Sequence, residues 1–207
     1  TVDNAGHWKA AHYMARRFFA SYSVCARYDE KANAVNIFVG CDPAAPFKGE
    51  VQWLATLMDG TVVSEGTKKV SPPPGTCENA MTISVADFLK RYGSRQLLFW
   101  CHLMDGFGNQ AAWNILPFAP WKTLETCPPK MRAEIHSWND SSFTVTLTSY
   151  CPALWVWVSL LGEEAWYDDN FFCLEPAKPY RVRVTPAKHM KLDQFRQLIR
   201  IGSLRDT

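Results

Sequence analysis

Two hydrophobic periods divide this chain. Along residues 3–19 the apolar positions recur every three to four residues, and from residue 22 onward they recur in short runs of alternation. The first segment, Asp3-Asn4-Ala5-Gly6-His7-Trp8-Lys9-Ala10-Ala11-His12-Tyr13-Met14-Ala15-Arg16-Arg17-Phe18-Phe19, predicts one amphipathic helix. Asp3 or Asn4 suits the free amides of its first turn, Arg16 and Arg17 suit the carbonyls of its last, and Trp8, Ala11, Ala15, Phe18 and Phe19 line one face. A helix of about a dozen residues is marginal alone in water, so that face calls for a partner surface. From pattern alone, a helix on the edge of a β-domain and the last helix of another domain fit equally. The strand series behind it shows no need of the helix.

Runs rich in β-branched and aromatic residues follow at Tyr22–Tyr28, Ala34–Val39, Val51–Met58, Thr61–Val70, Asn79–Val85, Leu97–Met104 and Ala111–Phe118. Asp59-Gly60 reads as a tight hairpin turn. Asp105-Gly106-Phe107-Gly108-Asn109 reads as a looser one, since a calcium loop needs repeated acidic ligands and a terminal glutamate. Ala86–Tyr92, stopped by Gly93, predicts a short helix crossing between two sheets. Pro117, Pro120, Pro128 and Pro129 then interrupt regular structure. A second series runs through Met131–Trp138, Ser142–Tyr150, Leu154–Leu161, Asn170–Leu174, Tyr180–Thr185 and Phe195–Leu204. The expected fold is mainly β: a helix within 1–21, an Ig-like antiparallel β-sandwich over 22–120, a Pro-rich linker over 121–129 and a second Ig-like β-sandwich over 130–207. For the second sandwich the pattern leaves a small barrel open.

Composition narrows the partners. The net charge is +2 with Lys and Arg scattered, so no basic stripe with interleaved aromatics tracks a phosphate backbone, and nucleic acid is not an expected partner. The longest apolar runs, near Leu97–Cys101 and Leu154–Leu161, are too short to span a bilayer, so no membrane partner is expected and the chain reads as soluble. Seven cysteines form no CxxC and fit neither a zinc site nor a disulfide scaffold, so most are expected as buried thiols, with Cys77 and Cys127 beside Pro-rich loops paired or exposed. Asn139-Asp140-Ser141 is an N-glycosylation sequon at an expected turn.

Catalytic constellations are not evident. The chain has no GxSxG elbow and no glycine-rich phosphate loop opening a helix. His7 and His12, five apart, fall on different faces of a helix and do not form a chelating pair. Glu163-Glu164 and Asp168-Asp169 are the adjacent acidic pairs, and neighbours in sequence point apart on a strand, so a solvated loop is expected rather than a dyad. No metal or cofactor is implied. Trp155 and Trp157 alternate with Val156 and Val158, which puts both indoles on one face; a sugar-stacking row and a strand buried on both sides compete for that pattern, and core packing is expected.

Gly6-His7-Trp8-Lys9-Ala10-Ala11-His12-Tyr13, continued by Ala15-Arg16-Arg17-Phe18-Phe19-Ala20, resembles the G-R-W-K-x-x-H-Y-x-x-[KR]-x-F-[FY]-x-P stretch of family 2 glycoside hydrolases of the β-mannosidase type. His7 stands where arginine is usual and Ser21 where proline is usual. Asp168-Asp169-Asn170-Phe171-Phe172-Cys173-Leu174-Glu175-Pro176, then Tyr180-Arg181-Val182-Arg183-Val184, is similar to the family's S-D-N-[FY]-F-x-L-x-P signature in its C-terminal sandwich, and Ile201-Gly202-Ser203-Leu204-Arg205-Asp206 to its closing strand.

The resemblance implies that residues 1–21 carry the terminal helix of a (β/α)8 catalytic barrel and that the rest forms two accessory sandwiches. It implies a retaining mechanism with two glutamates at the ends of barrel strands. No residue of this chain matches either glutamate motif, so no catalytic residue is carried over. The implied partner is the catalytic barrel portion, upstream or on a separate chain, with a β-mannoside oligosaccharide as substrate of the whole. Trp8, Ala11, Ala15, Phe18 and Phe19 are then the barrel-packing residues. Two other functions compete: a carbohydrate-binding module with Trp155 and Trp157, or Trp166 and Tyr167, as its platform, and an Ig-like interaction protein without catalysis. Lysosomal or secretory, periplasmic and cytoplasmic locations all remain open.

Overall fold

Strand pairing begins at Tyr22, where the period-two pattern begins. The computed structural model describes residues 2–4, 6–42 and 47–206. Ala5 of the predicted opening helix lies outside the described residues. The chain divides into two compact units, Arg16–Thr126, and Thr1–Ala15 with Cys127–Thr207.

In the first of these, β1 (Tyr22–Asp29), β2 (Ala34–Cys41) and β5 (Thr76–Ser84) form one antiparallel sheet in the order β1-β2-β5. A second has the order β4-β3-β6-β7, with β3 at Gly49–Leu57, β4 at Val62–Val70, β6 at Leu97–Asp105 and β7 at Gln110–Pro117. Val35, Ile37 and Val39 of one sheet pack with Val51, Phe99, Cys101 and Leu103 of the other. β6 is buried along Leu97–Leu103 because it is flanked by β3 and β7 and covered on its faces, as its unbroken apolar run requires. The short helix α2 (Ala86–Tyr92) leads from β5 to β6, hence from sheet to sheet, and Gly93 leaves it at φ +79°. In the turn at 105–109, Asp105 Oδ1 accepts the amides of Phe107 and Asn109 at 2.9 and 2.8 Å, a hairpin closed by its own aspartate.

The other unit holds a sheet of order β11-β13-β9-β8, with β8 at Arg132–Asn139, β9 at Ser142–Thr148, β11 at Ala165–Tyr167 and β13 at Tyr180–Pro186. Its second sheet has the order β12-β10-β14, with β10 at Ala153–Leu160, β12 at Phe172–Leu174 and β14 at Ile199–Gly202. Val145, Leu147, Val156, Val158, Phe172, Leu174, Val182, Val184 and Phe195 are among its buried apolar residues. The chain is thus mainly β with antiparallel sheets and a helix near its start, as the hydrophobic periods predict.

Three expectations are corrected. The opening helix, α1, covers only Ala10–Phe18. Gly6 at φ +86° turns the chain, Asp3 Oδ1 takes the His7 amide at 2.9 Å, and Val2 bridges to Trp8, so the preceding residues form a turn and Asp3 caps that turn instead of the helix. The predicted strand Phe195–Leu204 is helix α3 (Leu192–Leu198) followed by β14; Phe195 is buried and stacks on Phe143 at 4.1 Å between ring centres, anchoring one helical face. The segment between the two acidic pairs contains a short strand, β11, that pairs with β13.

Candidate functional site

The helix α1 has one buried residue, Tyr13, which is 3% exposed. Its ring lies 6.0 Å from Phe171 and 5.4 Å from Trp8. Phe171 reaches that position because its backbone adopts φ +54°, a conformation that a bulky residue holds only when its surroundings fix it. Those surroundings are the flanking motif residues. Asn170 Oδ1 accepts the Val158 amide at 2.9 Å and its Nδ2 donates to the Val158 carbonyl at 2.9 Å. The Tyr180 hydroxyl donates to Asp169 Oδ2 at 2.5 Å, and Phe172 stacks on the Tyr180 ring at 4.2 Å. Asp168 Oδ1 accepts the Arg183 amide at 2.7 Å. The Asp168-Asp169 pair expected in a solvated loop is therefore a structural clamp between that loop and β13.

The rest of the predicted stripe lies elsewhere. Phe18 at the end of α1 and Phe19 just beyond it are 68% and 87% exposed, Trp8 in the turn before α1 is 41% exposed, Ala11 is exposed and Ala15 half-buried. The apolar stripe read from the sequence is thus open to solvent, while the helix is tethered through Tyr13, a residue outside that stripe. That tether corrects the expectation that the chain behind α1 makes no use of it. The signal for it was the single aromatic on the opposite face. His7 and His12 go to separate partners: His7 Nδ1 lies 3.0 Å from Asp3 Oδ2 and its Nε2 lies 3.9 Å from Glu164, while the His12 ring lies 4.1 Å from Trp8.

Of the four expected sugar-contact residues, Trp155, Trp157 and Tyr167 are half-buried. Trp157 lies over Gly202, whose missing side chain makes the space; any Cβ there would collide with the indole. Trp155 is half-buried at φ +50°, where the pairing of β10 with β12 shifts register, and its amide meets Cys173 Sγ at 3.5 Å. The alternation of β10 leaves Val156 and Val158 buried and both tryptophans half-buried, so the expectation of burial on both sides holds for the valine face alone. Tyr167 is half-buried; burial pushes its phenol up, opposed by a hydrogen bond with the Leu160 backbone. Trp166 alone presents its ring, at 59% exposure, on the outward side of β11 opposite Thr185. Sequence reasoning passed over Trp138, also 53% exposed, at the end of β8 with the Arg183 guanidinium 4.2 Å from its ring centre.

Among the described residues no three His, Cys, Asp or Glu side chains gather as a metal site, and no helix is long and apolar enough to cross a membrane. Cys41, Cys101, Cys151 and Cys173 are buried, Cys127 is intermediate, and Cys25 and Cys77 are exposed.

Two family matches account for most of the chain. Residues 33–123 match a family described as "Mannosidase Ig/CBM-like domain", and residues 127–207 match a mannosidase "Ig-fold domain". Among solved structures, the chain is similar to a β-D-mannosidase from Dictyoglomus thermophilum, with a TM-score of 0.83 and 19% identity over 98% of this chain and 24% of that one. It is also similar to the exo-chitosanase CsxA of Amycolatopsis orientalis, with a TM-score of 0.63 and 16% identity over 93% of this chain and 26% of that one. At these identities the likeness is one of fold. The chain spans about a quarter of the length of these structures. No curated protein matches it by sequence.

Proposed function

Starting from a chain that belongs to the Ig-like C-terminal region of mannosidase-type family 2 glycoside hydrolases, we propose that it is the non-catalytic C-terminal part of a retaining enzyme that removes terminal β-D-mannose from the non-reducing ends of oligosaccharides. In this reading residues 1–21 complete a catalytic barrel, 22–120 and 130–207 are its accessory sandwiches, and 121–129 connect them. The catalytic carboxylates belong to the barrel portion, which is the chain's partner.

The observation that carries this reading is the division of labour on α1. Tyr13 holds the helix to the chain, while Phe18 at its end and Phe19 just beyond stay exposed, in line with Ala11 and Ala15. Large apolar side chains grouped on one stripe mark a surface to be covered, and small alanines between them permit close approach of a neighbouring helix or strand. The family resemblance supplies the barrel as that neighbour.

The test is reconstitution. The barrel portion of the enzyme, expressed alone and together with this chain, is assayed on an aryl β-mannoside. Activity is expected to require both, with the chain co-purifying with the barrel portion. Hydrolysis by the isolated chain would overturn the assignment, as would a fully active barrel portion that ignores the chain.

A second reading, carbohydrate binding, is favoured by the exposure of Trp166 on a sheet face that also carries Thr185 and Arg183. It narrows the platform to Trp166, because Trp155, Trp157 and Tyr167 are half-buried.

A further inference from the structure

The sequon at 139–141 is the chain's one Asn-x-Ser/Thr sequence, and neither accessory-domain reading uses it. It forms the tip of the β8–β9 hairpin: Asn139 pairs with Ser142, and Asp140 and Ser141 make the turn, with residues 139–141 all exposed. The Asn139 side chain is held by its oxygen. Oδ1 accepts the Ser141 amide at 3.0 Å, the Ser141 hydroxyl at 3.2 Å and the Ser142 hydroxyl at 2.8 Å. Nδ2 has no partner among the described residues. Three donors converging on Oδ1 fix the amide with its nitrogen free, and one of those donors is the hydroxyl that the sequon requires.

We propose that Asn139 is an N-glycan acceptor, modified by an oligosaccharyltransferase from a polyprenyl-diphosphate-linked oligosaccharide. In that transfer Nδ2 forms a bond to the anomeric carbon of the first sugar, the bond between that carbon and the diphosphate oxygen breaks, the polyprenyl diphosphate leaves with the electron pair, and one amide proton passes to the transferase's base. No oxidant or reductant is involved. The fold accepts the product, because Asn139, Asp140 and Ser141 at the exposed hairpin tip contribute no core packing that a bulky glycan displaces. Trp138, one residue before, borders the same groove as Asn139 with His189 and Lys191, and its exposed indole gives the first sugar an apolar wall.

The experiment directs the full chain into the secretory pathway of a eukaryotic cell with a cleavable signal peptide. Protein from the medium and from the membrane-enclosed fraction is then compared before and after peptide-N-glycosidase. The expected result is a slower-migrating form that the enzyme collapses, leaving aspartate at position 139 in the peptide map. N139Q and S141A each abolish it, and S141A retains the asparagine together with its bonds to the Ser141 amide and the Ser142 hydroxyl. Wild-type chain recovered from both fractions with an unmodified 139 peptide overturns the proposal, as does an enzyme-sensitive shift that survives in both variants.

Discussion

Asn170 and Val158 exchange two hydrogen bonds of 2.9 Å, the side-chain amide of one meeting both backbone groups of the other. β10 and β12 pair Val156 with Phe172, so the next position along would set Val158 opposite Asn170. The Asn170 side chain therefore supplies the pairing that the backbone does not make ahead of β12, and it does so 4% exposed. Replacing it with alanine strands a buried donor and a buried acceptor, for an expected loss of about 2–4 kcal/mol. Asn170→Asp keeps the acceptor, loses the donor to the Val158 carbonyl and adds a buried charge, so it is expected to be no milder. Urea unfolding followed by near-ultraviolet circular dichroism reads this directly. An unchanged midpoint for Asn170→Ala would refute the account.

The two sides of α1 are expected to respond oppositely. Tyr13→Ala removes the only buried side chain of the helix and its contact with Phe171, at a cost of about 3–5 kcal/mol. Phe18→Ser and Phe19→Ser touch exposed rings and are expected to change the isolated chain by less than about 0.5 kcal/mol. In association with the barrel portion the order reverses, and the Phe18→Ser, Phe19→Ser double variant is expected to fail in pull-down while folding normally. Destabilisation of the isolated chain by the double variant would show that the stripe is internal after all.

Much of this was legible in the residues, for reasons that differ by element. Central strands such as Leu97–Asp105 declare themselves through unbroken apolar runs, and α2 through its Gly93 stop. The opening helix was overextended because its stripe includes Trp8, yet Gly6 and the Asp3 side chain satisfy the early amides in a turn. Local capping chemistry outcompeted periodicity there. The strand expected at Phe195–Leu204 holds only in part: Ile199 and Ile201 carry strand-like spacing, whereas Phe195 needs a helical turn to reach Phe143. Which aromatics are free was not legible at all. Trp157 and Trp166 look alike in sequence, and only the pairing of β10 with β14 sets Gly202 beneath the former.

Burial pushes the Cys101 thiol far above the ordinary thiol range, with the nearby Cys25 adding to the shift. The sign follows from linkage. An acid whose folded pKa is raised stays protonated in the folded state while the unfolded chain ionises, so its stabilisation is complete below the unfolded thiol pKa and is lost as pH rises through it. Above about pH 9 the Cys101 contribution is expected to fall by up to about 1.4 kcal/mol per pH unit. Comparison of wild type with Cys101→Ala isolates it, since every other titrating group is shared. Melting temperatures from pH 7 to 10 should decline more steeply for wild type, and parallel curves would contradict this origin.

Carbohydrate binding, if it occurs in this chain, should depend on Trp166 and be indifferent to the other three expected platform residues. Trp166 stands outward on β11 with its ring 59% exposed, whereas Trp157 is seated over Gly202 and Trp155 and Tyr167 are half-buried. A pyranose stacks through its C–H face on an open indole, and loss of such a contact is worth about 1 kcal/mol or more, a roughly fivefold rise in Kd. Titration with manno-oligosaccharide is expected to quench tryptophan fluorescence in wild type and in Tyr167→Phe, and to lose most of its amplitude in Trp166→Ala. Quenching that persists in Trp166→Ala moves the platform to Trp138, exposed at the end of β8, which Trp138→Ala then tests. A flat titration in wild type at millimolar sugar removes the binding-module reading and leaves the exposed face of α1 as the site through which this chain acts.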